Sequence, residues 1–186
     1  MGAKGTLTYR SSAQQWLDEK QQRASEGRPA ICGVPIPLHL VTEQQHIDAI
    51  TGNRLTRRFK YREGFYNGNE RKFQGFGLLL ETDSDISGSD TATTSHTQNV
   101  LRKTWFHTGK ATDMVRRDYF DRDPLAQPLG YTLVSRLLPG QTDDTLLVAT
   151  EIADLPKDLN HALTGTQVRQ EVYAARDTAA SAVPYS

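Results

Sequence analysis

The chain has 186 residues and is 37% hydrophobic, which most simply predicts one domain, residues 1–186, with a sizeable core. Its 22 basic and 22 acidic residues give a net charge of zero, so bulk charge does not direct it to nucleic acid or to an anionic membrane. No apolar run approaches the roughly 20 residues of a membrane helix, and the first residues lack the apolar core of a secretory signal, which predicts a soluble chain without a signal peptide.

The N-terminal region predicts a strand, then a helix or more strand, then an irregular connection. Residues 6–12 alternate as a strand does. A capping-box pattern begins at Ser12, so residues 16–22 fit either a helical turn or a continuing strand. Residues 22–35 contain several Gly and Pro and predict an irregular connection. Cys32 is the only cysteine of the chain, which makes an intramolecular disulfide impossible and favours the role of a small hydrophobe.

The clearest pattern is a three-stranded meander over residues 38–82. Two turn signals, at residues 51–53 and 67–68, separate segments that are rich in β-branched and aromatic residues. Two consecutive hairpins are therefore predicted. Each strand has room to exceed the usual length of about 5–6 residues, which predicts a large curved sheet.

If both turns have two residues, the pairing places one apolar set of side chains on the same sheet face. A single layer of this face contains charges, and these are of opposite sign. Its layers are Ile50/Leu55/Leu80, Asp48/Arg57/Leu78 and His46/Phe59/Phe76, and the hairpin end pairs Glu63 with Lys72. On the other face Arg58 is expected opposite Gly77 and Lys60 opposite Gly75, so that long aliphatic stems cover positions without a side chain. Because Gly inside a strand usually marks a bulge, a bend or a close approach, we expect the sheet to bend against a neighbouring layer at residues 75–77.

A basic face that binds nucleic acid, on the middle strand of the predicted meander, is an alternative. It would consist of Arg58, Lys60 and Arg62, with Tyr61 and Phe65 nearby. The surrounding acidic residues, which are Glu63, Glu70 and Glu81, cancel this charge. A structural role is therefore favoured.

Residues 83–98 are polar and predict a loop. Asp83, Asp85 and Ser87 have the alternating spacing of a calcium loop, with Gly88 in sixth position. The twelfth position is Thr94, where a calcium site needs a bidentate Glu, so calcium binding is the weaker alternative.

The second half of the chain predicts further short elements. Residues 103–109 fit a strand that ends in a turn, and residues 113–120 fit a short helix. A third hairpin is predicted around Pro139-Gly140, a second short helix over 155–165, and a strand over 168–173.

No catalytic, cofactor or metal site is predicted. The five histidines (His39, His46, His96, His107 and His161) share no metal-ligand spacing, and no nucleotide-binding or nucleophile motif occurs. The best place for acid/base chemistry is the cluster of Trp105, His107, Asp113, Asp118, Tyr119, Asp121 and Asp123. A hydrolase that uses His107 and Asp118 is thus one alternative. A carbohydrate- or protein-binding β module that uses Trp105, Tyr66 or Tyr119 is another, and a polar helix with solvated aspartates is the favoured interpretation.

Five segments of the sequence carry a resemblance to a known family. They are SSAQQWLDEKQ at 11–21, IPLHLV at 36–41, ITGNRLTRRFKYREGFYNGNERKFQGFG at 50–77, KTWFHTG at 103–109 and LTGTQVRQEVYAARDTAASAVPYS at 163–186. In this order they resemble the B component of bacterial insecticidal toxin complexes, the TcB or TcdB-like family, in the region after its propeller. The third segment also resembles the Tyr-Asp repeats of Rhs proteins. Because family members are far longer chains, the sequence corresponds to an excised piece or a truncated relative.

The resemblance implies a mainly β segment of an Rhs-type shell, with long antiparallel strands in a curved meander and one to three short helices. It implies a structural, non-enzymatic role in a hollow shell that encloses a C-terminal cytotoxic effector. The implied partners are the C component with its effector and the A-type pore component, with no cofactor, nucleic acid or direct membrane insertion. The implied location is extracellular, as part of a bacterial toxin complex. A piece of such a sheet has exposed edges, which should tend to pair edge to edge.

Overall fold

The computed structural model describes residues 2–30, 32–86, 99–110, 134–136, 145–147 and 161–175. Its elements are β1 (Ala3–Ser11), α1 (Ser12–Ser25), β2 (His39–Asp48), β3 (Arg54–Asn67), β4 (Lys72–Ile86), β5 (Asn99–Phe106), β6 (Val134–Arg136), β7 (Thr145–Leu147) and β8 (Gln167–Ala175). An antiparallel sheet of six strands has the order β1-β2-β3-β4-β5-β8, and β6 pairs with β7 in a two-stranded sheet. The predicted mainly β class is confirmed, and β3 and β4 are long, with 14 and 15 residues.

The chain forms a helix, α1, directly after the first strand, where the sequence allows either a helical turn or a continuing strand. Ser11 is its N-cap, and the hydroxyl of Ser11 accepts a hydrogen bond from the Ala13 amide at 3.2 Å. The Ser12 amide donates to the Leu38 carbonyl at 2.8 Å, and the Leu38 amide donates to Ser12 Oγ at 3.0 Å. Beyond the helix Gly27 has φ 68°, a left-handed conformation that commonly follows a helix C-terminus. The cap and these two bonds direct the chain into a helix rather than into more strand.

The predicted meander of β2, β3 and β4 is confirmed, but its predicted register is wrong in both hairpins. Between β3 and β4 the loop comprises residues 68–71, so Asn67 pairs with Lys72. The Asn67 side chain closes this loop, because its Oδ1 accepts from the amides of Asn69 at 3.1 Å and Glu70 at 3.3 Å. The side-chain bonds of Asn67 thus stabilise a longer loop than the Asn-Gly signal indicates.

A β-bulge between Phe65 and Tyr66 displaces β3 further along β4, and Gly75 on the partner strand has φ 108° there. Phe59 consequently pairs with Glu81, and Phe76 pairs with Gly64. The other predicted pairs of this hairpin are also wrong; they are Leu55/Leu80, Arg57/Leu78, Glu63/Lys72, Arg58/Gly77 and Lys60/Gly75. Gly75 thus lies at an irregularity of the pairing, while the predicted bend of the sheet against a neighbouring layer stays a prediction.

The first hairpin is also offset from its predicted register, because its loop is longer than two residues. The Asp48 amide donates to the Asn53 carbonyl at 2.9 Å, and Asp48 Oδ1 accepts from the Ile50 amide at 2.9 Å. His46 therefore pairs with Leu55. The predicted pairs Ile50/Leu55, Asp48/Arg57 and His46/Phe59 are wrong, and Ile50 is 74% exposed in the turn.

The apolar core of the described residues lies on one face of β4 and β5. Leu78 is paired across the sheet with Trp105, whose side chain is fully buried. Leu80 and Val168 pack against this pair. Since a residue and its cross-strand partner point to the same side, this face is the inward one along β4.

On the same face β5 and β8 bury a row of charged side chains. Lys103 pairs across the strands with Glu171, and both are buried. Glu171 also forms an ion pair with Arg169 and accepts a hydrogen bond from the Tyr173 hydroxyl. Lys103 Nζ lies 4.5 Å from the Tyr173 ring centroid, and Arg169 Cζ lies 5.5 Å from that of Trp105. Because a buried charge is costly without its partners, these contacts favour one register of β8 on β5.

The remaining predictions divide into confirmed elements and elements outside the described residues. Strands β5 and β8 and the β6–β7 hairpin confirm the predicted strands and the third hairpin. The helix predicted over residues 113–120 lies outside the described residues, as do 155–160 of the second predicted helix. Asp83 and Asp85 belong to β4 rather than to a loop, while the calcium-loop positions from Ser87 onward are outside the description.

Candidate functional site

The described members of the predicted acid/base cluster have structural surroundings. His107 is 1% exposed, and its Nδ1 accepts a hydrogen bond from the Gly109 amide at 2.9 Å. Its backbone joins the end of β5 to the start of β8, since the His107 amide donates to Thr166 and its carbonyl accepts from Gly165. Trp105 is fully buried, which removes it as an exposed ring for a carbohydrate. The other members, residues 113–123, lie outside the described residues.

The arginines of the predicted basic face are engaged by carboxylates. Arg58 Nε lies 3.0 Å from Glu43 Oε2, across the β2–β3 pair. Arg62 Nη1 lies 3.6 Å from Glu19 of α1. Carboxylates therefore neutralise these two cations, as expected, but they are Glu43 and Glu19 rather than the predicted Glu63, Glu70 and Glu81.

The junction between α1 and the sheet is a network of ion pairs. Arg23 Nε lies 2.8 Å from Glu19, one helical turn before it, and Arg23 also pairs with Glu63 of β3. Glu19 in turn pairs with Arg62, as described above. These four side chains, Glu19, Arg23, Arg62 and Glu63, are called the ion-pair cluster; they are only 13–25% exposed. Their partial burial weakens screening by solvent and salt, and it also makes the loss of one partner costly, because a partly buried charge is then left unpaired.

The electrostatics of Arg23 follow from this geometry. Burial alone lowers the pKa of Arg23, but attraction from Glu63 and Glu19 outweighs it, so the pKa is raised above its ordinary value. Arg23 is therefore a permanent cation in the ion-pair cluster.

Glu63 has an unusual backbone, with φ 55° inside a long strand. This left-handed region is uncommon for residues other than Gly and costs of order 1–3 kcal/mol. The conformation coincides with the pairing of its carboxylate with Arg23. Glu63 thus combines a strained backbone with an ion pair to α1.

A strap, residues 32–34, crosses the sheet beside α1. The Tyr66 amide donates to the Gly33 carbonyl at 2.9 Å, which ties the strap to β3. A Cβ placed on Gly33 would lie 2.0 Å from the Gly64 carbonyl oxygen, and one on Gly64 would lie 2.2 Å from Val34 Cγ2. Only Gly at both positions allows the two backbones to approach so closely.

Between α1, the strap and the sheet lies a cavity of about 330 Å³, called the α1 cavity. Its walls combine the rings of Trp16, Tyr61 and Phe76 with Glu19, Arg23 and Glu63 of the ion-pair cluster. The Tyr61 and Phe76 ring centroids are 5.1 Å apart, and burial raises the pKa of Tyr61. Trp16 Nε1 is buried with no hydrogen-bond partner. The cavity shows that α1 does not pack tightly on the sheet.

The edges of the six-stranded sheet are β1 and β8. Every residue of β1 except Ser11 is exposed, including Leu7 at 49% and Tyr9 at 53%. Such an edge presents backbone donors and acceptors to another strand.

In the described part of the chain, no group of His, Cys, Asp and Glu is arranged to hold a metal ion. Within the same residues no helix is both long and apolar enough to cross a membrane.

Comparison with known proteins shows the family. A family model described as the insecticide toxin TcdB middle/N-terminal region matches residues 1–109, more than half of the chain. The chain belongs to the TcdB insecticide-toxin family. The resemblance drawn from the sequence motifs is therefore confirmed. Among curated proteins, no match was found.

Solved structures of TcdB assemblies have the same fold. The chain is 31% identical to a chain of the TcdB2-TccC3 crystal structure, with a TM-score of 0.75 over 100% of this chain. It is 28% identical, with a TM-score of 0.77 over 100% of its length, to a chain of the Tc holotoxin pore of Photorhabdus luminescens. It spans only 9% and 8% of those two chains, respectively.

The sequence patterns predict neither the ion-pair cluster nor the strap. The spacing of Glu19 and Arg23 by one helical turn was an available signal for a helix-face ion pair. No local signal indicated that β3 would supply Glu63 and Arg62, because their partners are distant in the sequence; Arg23 and Glu63, for example, are 40 positions apart. The close approach of Gly33 to Gly64 likewise depends on tertiary structure.

Proposed function

We propose that this TcdB-family chain is a structural, non-enzymatic segment of the B-type component of an insecticidal toxin complex. Residues 1–186 form a single β-rich domain in it and contribute strands to a hollow, Rhs-like shell. The shell encloses a C-terminal cytotoxic effector and helps to deliver it. The observation that carries the proposal is the family match on a sheet of long antiparallel strands.

The form of the sheet supports a role as one part of a larger wall. Strands of 14 and 15 residues exceed the usual length of about 5–6, and they lie at the centre of an open sheet. Its edge strand β1 is almost wholly exposed. An edge of this kind is suited to continue the sheet into neighbouring strands of the parent protein.

Ion pairs between neighbouring strands of the sheet also support a structural role. Arg57 lies 3.4 Å from Asp83 and 3.9 Å from Glu81, and Arg102 lies 3.1 Å from Glu81. These pairs connect β3, β4 and β5 on the face opposite to Leu78 and Trp105. Such cross-strand pairs stabilise pairing and register.

The partners follow from the similar structures. These structures are of TcdB2 with TccC3 and of a Tc holotoxin pore. We therefore assign this chain a C component with its effector and an A-type pore component as partners, in an extracellular toxin complex. Nucleic acid, cofactors and direct membrane insertion have no part in this role.

A segment exchange tests the proposal. Residues 1–186 replace the matching segment of TcdB2, and the chimera is produced together with TccC3. The expected product is an intact complex in size-exclusion chromatography, with the effector as resistant to added protease as in unmodified TcdB2-TccC3.

The control is a TcdB2 variant in which a flexible linker of equal length replaces the same segment. A flexible linker cannot form strands, so its effector should be digested. Digestion of the effector in the chimera at the rate of the linker variant would contradict a role in the shell.

A further inference from the structure

Helix α1 makes little apolar contact with the sheet. Ser12 is its only buried residue, and Leu17 is 49% exposed. A helix that lacks a buried apolar stripe gains little from the hydrophobic effect on docking. Its position therefore depends on the polar contacts that it makes.

Polar contacts hold both ends of the helix, and a half-exposed ion pair at its middle joins Asp18 Oδ2 to Arg10 Nη1 of β1 at 3.0 Å. Because exposed pairs contribute little, the contacts at the two ends matter most. At the N-terminus the two hydrogen bonds between Ser12 and Leu38 fix the backbone. Toward the C-terminus the ion pair of Arg23 with Glu63 joins the helix to β3, and Gln22 Oε1 accepts from Arg62 Nη2 at 2.6 Å. The arrangement is that of a hinge at one end and a latch at the other.

Three features of the closed position oppose it. Glu63 holds a left-handed backbone, Trp16 Nε1 is buried without a hydrogen-bond partner, and the α1 cavity leaves the helix underpacked. Opening gives the indole access to water, fills the α1 cavity with solvent and frees Glu63 from its contact with the helix. The ion-pair cluster is what offsets them.

We propose that α1 is a lid hinged at Ser12 and latched by Arg23 on Glu63, and that breaking this latch swings the helix off the sheet and opens the α1 cavity. The strap does not move with the lid, because its bond from Tyr66 to Gly33 is independent of α1. The device goes beyond the structural role proposed above and does not depend on it.

Charge reversal in the 186-residue chain tests the latch. Arg23→Glu places like charges beside Glu19 and Glu63 and should raise amide hydrogen exchange in residues 18–25 about tenfold, which corresponds to about 1.4 kcal/mol. Amides of β3 and β4 should keep their rates. The double variant R23E/E63R restores the opposite charges and should recover most of the protection.

The matched control is Arg54→Glu, a reversal at an exposed arginine at the start of β3. It should leave α1 exchange unchanged. Quenching of fluorescence by acrylamide gives an independent readout, since Trp105 is fully buried and Trp16 lines the cavity. Quenching should increase in Arg23→Glu and return toward the original value in the double variant.

Three results would overturn the lid. They are unchanged exchange in Arg23→Glu, a rise in exchange that is equal in α1 and in the β3–β4 hairpin, and a double variant that is no better protected than the single one. If Arg23→Glu does not fold, hydrogen exchange of the unmodified chain is compared between about 0.05 M and about 1 M NaCl. At the higher concentration the Debye length is only about 3 Å, so ion pairs are screened. A selective rise of α1 exchange with salt then supports the latch, and uniform exchange contradicts it.

Discussion

Substituting Gly33 with alanine should detach the strap from the sheet. The added Cβ lies 2.0 Å from the Gly64 carbonyl oxygen, whereas non-bonded heavy atoms prefer about 3.5–4.0 Å. The obstructing atom belongs to the backbone and cannot rotate away, so the strap itself must move. This movement breaks the 2.9 Å bond from the Tyr66 amide to Gly33. Overpacking of about 1–3 kcal/mol and a lost hydrogen bond of about 1 kcal/mol together predict a destabilisation of roughly 2–4 kcal/mol.

Urea unfolding followed by circular dichroism measures this loss, with hydrogen exchange at the Tyr66 amide as the local readout. Gly68→Ala is the matched control, because no atom lies within 4 Å of a Cβ at that exposed loop position. It should change stability by less than about 0.5 kcal/mol. Gly64→Ala should fall between the two, since its closest obstacle is the side chain of Val34. Equal stability of the Gly33 and Gly68 variants would refute the close-approach argument.

Three further predictions concern single polar groups. Glu171→Gln removes the buried carboxylate that Arg169 and Tyr173 contact and should cost about 3–5 kcal/mol in urea unfolding, against less than about 1 kcal/mol for the exposed Glu70→Gln. Ser11→Ala removes the N-cap hydroxyl and should lower the stability of α1 by about 0.5–2 kcal/mol, visible as faster exchange in the helix and unchanged exchange in β4. The pKa of Asp48 is lowered from 3.8 by hydrogen bonds from the Ile50 amide and the Thr51 hydroxyl, so the stability that it contributes is present above pH 3.8 and is lost as the pH falls through the lower folded value. Asp48→Asn should remove that part of the acid dependence of the unfolding midpoint, and an unchanged dependence would count against the assignment.

The secondary structure was largely predictable because it depends on local patterns. Alternation in residues 6–12 and 168–173 marked β1 and β8, and the Asn and Gly clusters marked both hairpins. Family membership was also predictable, since it rests on the order of motifs along the chain.

Pairing registers were not predictable from the turn signals. Asn67 closes a loop longer than its Asn-Gly signal implies, and the bulge at Phe65 adds a further displacement. Together they displace the strands by an odd number of residues, which changes the neighbour of every side chain on β3. Loop closure and bulge formation depend on the contacts of the whole sheet, so the sequence pattern alone leaves them open.

The sequence by itself determined that this chain forms long strands, where they begin and end approximately, and to which family it belongs. The tertiary structure decided which side chains face one another, including Arg23 on Glu63, Gly33 against Gly64 and Glu171 beside Arg169. The physical reason is the range of the forces involved. Strand propensity and turn chemistry act over a few neighbouring residues, whereas register, close backbone approach and buried ion pairs depend on chain segments that meet only in the folded protein.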